Sequence, residues 1–184
     1  MQRALLVVDY SNDFVHDAGA LSAGQVGQAL DRPILAEIER AYAAGEFIFI
    51  CHDEHMAGDI YHPEAALFPA HHEKGGWGAE FYGESGGRLK NLLDAGDKRV
   101  AYVPKQRYSA FFGTPLDMML RARDVRELTV VGLCTDICVL HTVIDAAYLG
   151  YRVRVPERAC ATIMPQGQEW ALAHMKNCLG VDIV

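Results

Sequence analysis

A few short segments of the chain carry residues of the kind that do covalent and acid–base chemistry. In LTVVGLCTDICVLHTVIDAAYLG (128–150) an apolar run ends at Leu133 and a helical pattern begins just beyond it. Two cysteines, Cys134 and Cys138, stand four residues apart across that junction. Cys138 falls in the first turn of the expected helix, where unpaired N–H groups and the positive end of the helix dipole favour a thiolate. A neighbouring ammonium would lower the thiol pKa further, and a carboxylate would carry its proton. Lys105 in PKQRYSAFFGT and Asp9 in VVDYSNDF are the candidates. Cys138 is thus the candidate nucleophile, and the backbone N–H of Cys134 joins that of Cys138 as an oxyanion donor. A cysteine taken singly is more often a small buried hydrophobe, and Cys51, Cys160 and Cys178 are read that way.

Such residues need a frame that brings them together. Short apolar runs at 4–9, 47–51, 99–103, 128–133, 152–156 and 181–184 read as buried strands. Being apolar on both faces, they fit a parallel sheet covered by helices. Helical patterns lie between them: 31–45 with Asp31 as N-cap and Gly45 as stop, 85–96, 114–123 with a Thr114-Pro115 start, 135–150 and 166–180. The alternation predicts an α/β fold: a three-layer α/β/α sandwich around a doubly wound, six-stranded, mostly parallel sheet, as one domain spanning 1–184. Sites in such sheets form beyond the carboxyl ends of the strands, where strand order switches. Asp9, Asp53, His55, Lys105, Cys134 and Cys138 all follow strand ends.

The totals narrow the function classes. The chain has 184 residues, 51% hydrophobic and 22% charged, with a formal net charge of −7. With no basic stripe, nucleic acid and anionic membrane are poor partners. No apolar run nears the roughly 20 residues that span a bilayer, and the first residues lack a signal-peptide pattern. Five scattered cysteines, an odd count, read as reduced thiols in a cytoplasm.

VVDYSNDF, PKQRYSAFFGT and VGLCTDICVLHTVIDA resemble the isochorismatase-like cysteine hydrolases, and the nicotinamidase branch in particular, from Leu5 to the end of the chain. The resemblance implies a catalytic triad of Asp9, Lys105 and Cys138. It also implies an oxyanion hole from the N–H groups of Cys134 and Cys138, with a cis peptide at Leu133–Cys134.

Five of the eight histidines fall between His52 and His72. Asp53 and His55, at i and i+2, point the same way from an extended segment. With His71, and with Glu64 in HPEAALFPAH, they resemble the metal site of nicotinamidases. Such ligands suit a divalent metal, zinc before manganese or iron. His52, His62 and His72 are read as support or as solvated. Phe14, Phe68 and Tyr108 would flank a flat heteroaromatic amide, whereas Trp77 is read as loop packing.

The resemblance implies hydrolysis of nicotinamide to nicotinate and ammonia through a cysteine thioester, by a homo-oligomer, dimer or tetramer. Ser11, Glu54 and Cys134 depart from the residues usual at their positions and put the pocket's detail in doubt. A different small amide or isochorismate is the alternative substrate. A non-catalytic binding domain and a Cys134–Cys138 redox pair are the rivals of another class.

Overall fold

The structure, a computed structural model, describes residues 2–184. In chain order the elements are β1 (Gln2–Val8), α1 (Asn12–Val15), α2 (Gly24–Gln28), α3 (Asp31–Ala43), β2 (Phe47–Cys51), α4 (Gly83–Asp94), β3 (Val100–Tyr102), α5 (Leu116–Arg121), β4 (Val125–Leu133), α6 (Leu140–Tyr148), β5 (Arg152–Val155), β6 (Cys160–Ala161), α7 (Pro165–Leu179) and β7 (Asp182–Ile183). Three short 3₁₀ turns and one π-helical turn, Thr135–Val139, complete them.

The sheet order is β3-β2-β1-β4-β5-β7, and β6 adds a short pairing to the end of β4. Every strand pairing is parallel. The sheet therefore has seven strands where the apolar runs predict six. The extra one, β6, is two residues long, too short to show a period. Period-two alternation sorts the core. Ala4, Leu6 and Val8 of β1 face one layer, with Leu116 and Leu120 of α5, Val143 of α6 and Met175 of α7. Leu5 and Val7 face the other, with Ile34 and Ile38 of α3 and Leu89 of α4. Strand order reverses between β1 and β4, which places a crevice beyond their carboxyl ends. The two strands meet closely there: Gly132 has φ 122°, and a Cβ on it would collide with the Val8 carbonyl.

One expected cap works elsewhere. Asp31 is the first residue of α3 rather than its cap. Its carboxylate instead accepts from the N–H groups of Glu84 (2.9 Å) and Ser85 (2.9 Å) and from the Ser85 hydroxyl (2.6 Å). It thus caps α4, whose own flanking Tyr82 supplies no side-chain cap. A Cβ at Gly83 would come within 2.5 Å of that carboxylate, so only glycine admits it. Asp31→Ala should lower stability to urea by about 1–2 kcal/mol, the worth of an N-cap, with the midpoint moving and the slope unchanged. An unchanged midpoint would show that α4 does not depend on this cap.

Candidate active site

Three strand ends deliver the charged centre. The β2–β3 ladder runs past its regular end, since Asp53 pairs with Lys105 in a parallel bridge. Glu54 N–H donates to the Lys105 carbonyl (2.8 Å) and Lys105 N–H to the His52 carbonyl (2.9 Å). Asp9, directly after β1, takes φ 50°. Its Oδ1 accepts the Asp53 N–H at 2.8 Å. The Lys105 ammonium, fully buried, lies 2.7 Å from Asp9 Oδ2 and 2.7 Å from Asp53 Oδ1. Burial alone would lower the lysine pKa, but the two carboxylates override it and hold the group well above its usual range.

Cys138 lies in the π-helical turn, not in a first α-helical turn as expected. The turn is widened by the Val139 N–H, which reaches back to the Cys134 carbonyl (3.1 Å). π-turns of this kind recur at functional sites. Cys138 Sγ lies within 4.8 Å of carboxylate oxygens of Asp9 and Asp53. The expected lowering of its pKa by the helix start does not prevail. Burial pushes the thiol well above its ordinary range, Lys105 opposes this, and Asp9 adds to it. Burial also raises Asp9, to about 7, with the Asp53 charge adding and Lys105 opposing. The arrangement therefore holds a neutral thiol beside a carboxylate whose proton affinity suits exchange near neutral pH. The Leu133–Cys134 peptide is cis, as expected.

The second centre shares Asp53. One donor atom from each of Asp53, His55, Glu64 and His71 lies within 4.8 Å of the other three, and all four residues are buried. Backbone bonds fix the segments that bring them. His55 bridges to Glu73, its N–H donating to the His72 carbonyl at 2.9 Å. Glu64 sits on a 3₁₀ turn, Pro63–Ala66, capped by His62 Nδ1, which accepts the Glu64 N–H at 3.2 Å. His71 Nδ1 donates to the Pro69 carbonyl (2.8 Å), leaving Nε2 for Glu64 (3.6 Å) and for an ion. This is the usual way in which a ligating imidazole is oriented. Neither ring nitrogen of His55 has a hydrogen-bond partner among the described residues. Burial lowers its pKa to about 4, so the ring is neutral, the form that ligates. A mixed N/O donor set with an orphaned buried imidazole fits a divalent first-row metal.

Both centres open on a cavity of about 440 Å³ at the switch point. Asp53, Glu64, His71, Cys134 and Cys138 line it, as do the three expected aromatic residues, Phe14, Phe68 and Tyr108. Trp77 instead packs edge-on against His16. Asp9, Lys105 and His55 stand behind this lining: Lys105 lies against both aspartates, and His55 Nε2 is 3.9 Å from Asp53 Oδ2.

Other contributors are less visible in the sequence. His72, fully buried at φ 49°, donates from Nδ1 to the Asp53 carbonyl (2.7 Å) and accepts from the Ser11 hydroxyl. Asp13 accepts the N–H groups of His72 (2.6 Å) and Ala20 (3.1 Å), tying the loop after α1 to the histidine segment. These residues stand inside the motifs already noted, and only their partners reveal their work. Cys178, read as buried, is exposed.

A doubly wound sheet with a thiol, two carboxylates and an ammonium gathered at its switch point is equipped for thiol-based acyl transfer. The chain belongs to the isochorismatase family, whose domain matches residues 3–183. The pyrazinamidase/nicotinamidase of Streptococcus mutans UA159 is 43% identical, with TM-score 0.96 and full coverage of both chains. PncA of Bacillus subtilis, an isochorismatase family protein, is 40% identical over 100% of this chain and 99% of its own. The pyrazinamidase of Pyrococcus horikoshii, solved in complex with zinc, is 28% identical with TM-score 0.86, over 100% of this chain and 99% of its own.

Lys105→Met would leave the Asp9 and Asp53 carboxylates buried without their counter-ion. Removing one partner from a buried ionic group costs about 3–5 kcal/mol, and denaturant melts at pH 8 should show a loss of that order. The loss should shrink as pH falls toward 7, because Asp9 without the ammonium takes up its proton more readily than in the intact protein, where its pKa is already raised to about 7. A loss independent of pH would refute the electrostatic account.

Proposed function

We propose that the protein is a metal-dependent nicotinamidase, hydrolysing nicotinamide to nicotinate and ammonia. The observation that carries this reading is the double use of Asp53: one oxygen on Lys105, the other 3.9 Å from His55 Nε2 in the four-donor cluster. A thiol and an ion site are thereby held at one cavity between aromatic side chains. The pyrazinamidase/nicotinamidase relative supports the substrate, and the pyrazinamidase solved with zinc makes zinc the first choice of metal.

Asp53, His55, Glu64 and His71 would hold the ion. When bound, it would supply a positive charge that attracts and orients the pyridine nitrogen. The ring lies between Phe14, Phe68 and Tyr108. Asp9 accepts the Cys138 proton as Sγ forms its bond to the carboxamide carbon. Lys105 stays protonated and offsets the negative charge gathered around it. The tetrahedral oxyanion is met by the N–H groups of Cys134 and Cys138. Collapse breaks the C–N bond, and Asp9 gives its proton to the departing ammonia. Water then adds to the thioester, its proton passing to Asp9, and release of nicotinate restores the thiol. We further assign the chain to a single domain, to a homo-oligomer and to the cytoplasm. The domain match across 3–183, exposed apolar side chains such as Met118 and Tyr148, and five free cysteines support these assignments.

Zinc-replete protein should release ammonia from nicotinamide promptly. Cys138→Ala should lower kcat by about 10⁴-fold or more, the scale seen on removing a nucleophile, with zinc content unchanged. Turnover by that variant would overturn the nucleophile. Asp53→Ala should lose zinc by elemental analysis, and retained zinc would overturn the ligand set. No ammonia from nicotinamide, with zinc bound in full, would move the search to other small amides.

A further inference from the structure

The four donors form a wall with a cavity on each side. Glu64, Phe68 and His71 line the inner cavity beside Cys138, and the same three residues line a second, outer cavity of about 210 Å³. The outer cavity also reaches His55, which is absent from the inner wall, together with His62 and the exposed Asp59. It lies between the 56–62 segment and the 68–73 segment. The His55 and His62 rings sit 4.2 Å apart, edge to face. His55 is over nine-tenths buried, with both ring nitrogens unpartnered among the described residues.

A cation arriving through the outer cavity thus passes an exposed carboxylate before meeting the ligand cluster. One arriving through the inner cavity must pass the aromatic walls and the place of the substrate ring. Stepwise exchange of water for protein ligands is easier along a polar path, because a divalent ion is costly to strip of its hydration shell in one step. The geometry points to the outer cavity as the route by which the metal enters and leaves, separate from the substrate's route. The ion then exchanges with solvent while substrate or product fills the inner pocket. This rests on the metal reading above.

The test follows protein-bound zinc over time after addition of excess EDTA, by desalting and elemental analysis. Three zinc-loaded samples are compared: unmodified protein, protein with the inner cavity plugged by Ala20→Trp, and Ala65→Trp. Ala20 is exposed and lines the inner cavity but not the outer one. Ala65 is exposed and lines the outer cavity but not the inner one. The expected result is zinc loss from the plugged protein within twofold of the unmodified rate, and loss slowed at least fivefold in Ala65→Trp. Slowing by the plug with normal loss from Ala65→Trp would overturn the route, as would equal slowing by both or by neither. Should unmodified protein retain no zinc at all, the metal reading itself falls, and the route with it.

Discussion

The site is organised around one buried ammonium. Lys105 Nζ sits 2.7 Å from a carboxylate oxygen of each of two aspartates, and it has no access to solvent. Two carboxylates at that depth cannot both be ionised without it, and a lone ammonium there would lose its proton. The two carboxylates thus keep the ammonium charged, and the ammonium opposes the burial that raises Asp9. Asp9 belongs to the half of the site that handles the thiol proton, and Asp53 to the half that gathers the metal donors. The ammonium is the joint between covalent chemistry and ion binding, and neither half is electrostatically complete alone.

Burial of that joint also sets the resting state of the nucleophile. A solvent-exposed cysteine beside a lysine would be partly ionised, open to oxidation and to any passing electrophile. Here desolvation outweighs the lysine, and Cys138 stays a thiol until a substrate carbonyl offers somewhere for the charge to go. In the mechanism proposed, activation is a local proton transfer to Asp9, coupled to attack. The widened turn that carries Cys138 serves the same end, since it directs the side chain inward, toward the ends of β1 and β2.

Much of this was legible in the residues. Asp9, Asp53 and Lys105 follow apolar runs that read as strands, the last of them the edge strand β3, and parallel topology then brings their ends to one edge of the sheet. Of the four donors, Asp53 and His55 were readable as sharing one face of an extended segment, while His71 and Glu64 joined them through the resemblance to the metal site of nicotinamidases. What stayed hidden depends on partners far away in the chain. Asp31 looks like the cap of its own helix, yet caps α4, because the choice depends on how α3 and α4 pack. The inward work of His72, held between Ser11, Asp13 and the Asp53 carbonyl, has no local signature at all. The thiol's neutrality was missed for a related reason. A helix start is visible in a sequence, but the depth at which the fold buries it is not.

The parallel bridge that carries Asp53 against Lys105 has a consequence for how such a chain can change. It continues the same register as Ile48 on Val100 and Ile50 on Tyr102. Side chains along a strand alternate in direction, so gaining or losing one residue within β2 or β3 would turn the aspartate or the lysine to the opposite layer. The two strands work as a ruler with a two-residue graduation. Growth and loss of length are left to the connections at the far end of the sheet, such as the Gly45 and Gly96 turns, where an added residue moves nothing in the crevice. A chain of this fold can thus change its length there while keeping one spacing between Cys138, Asp9 and the donor cluster.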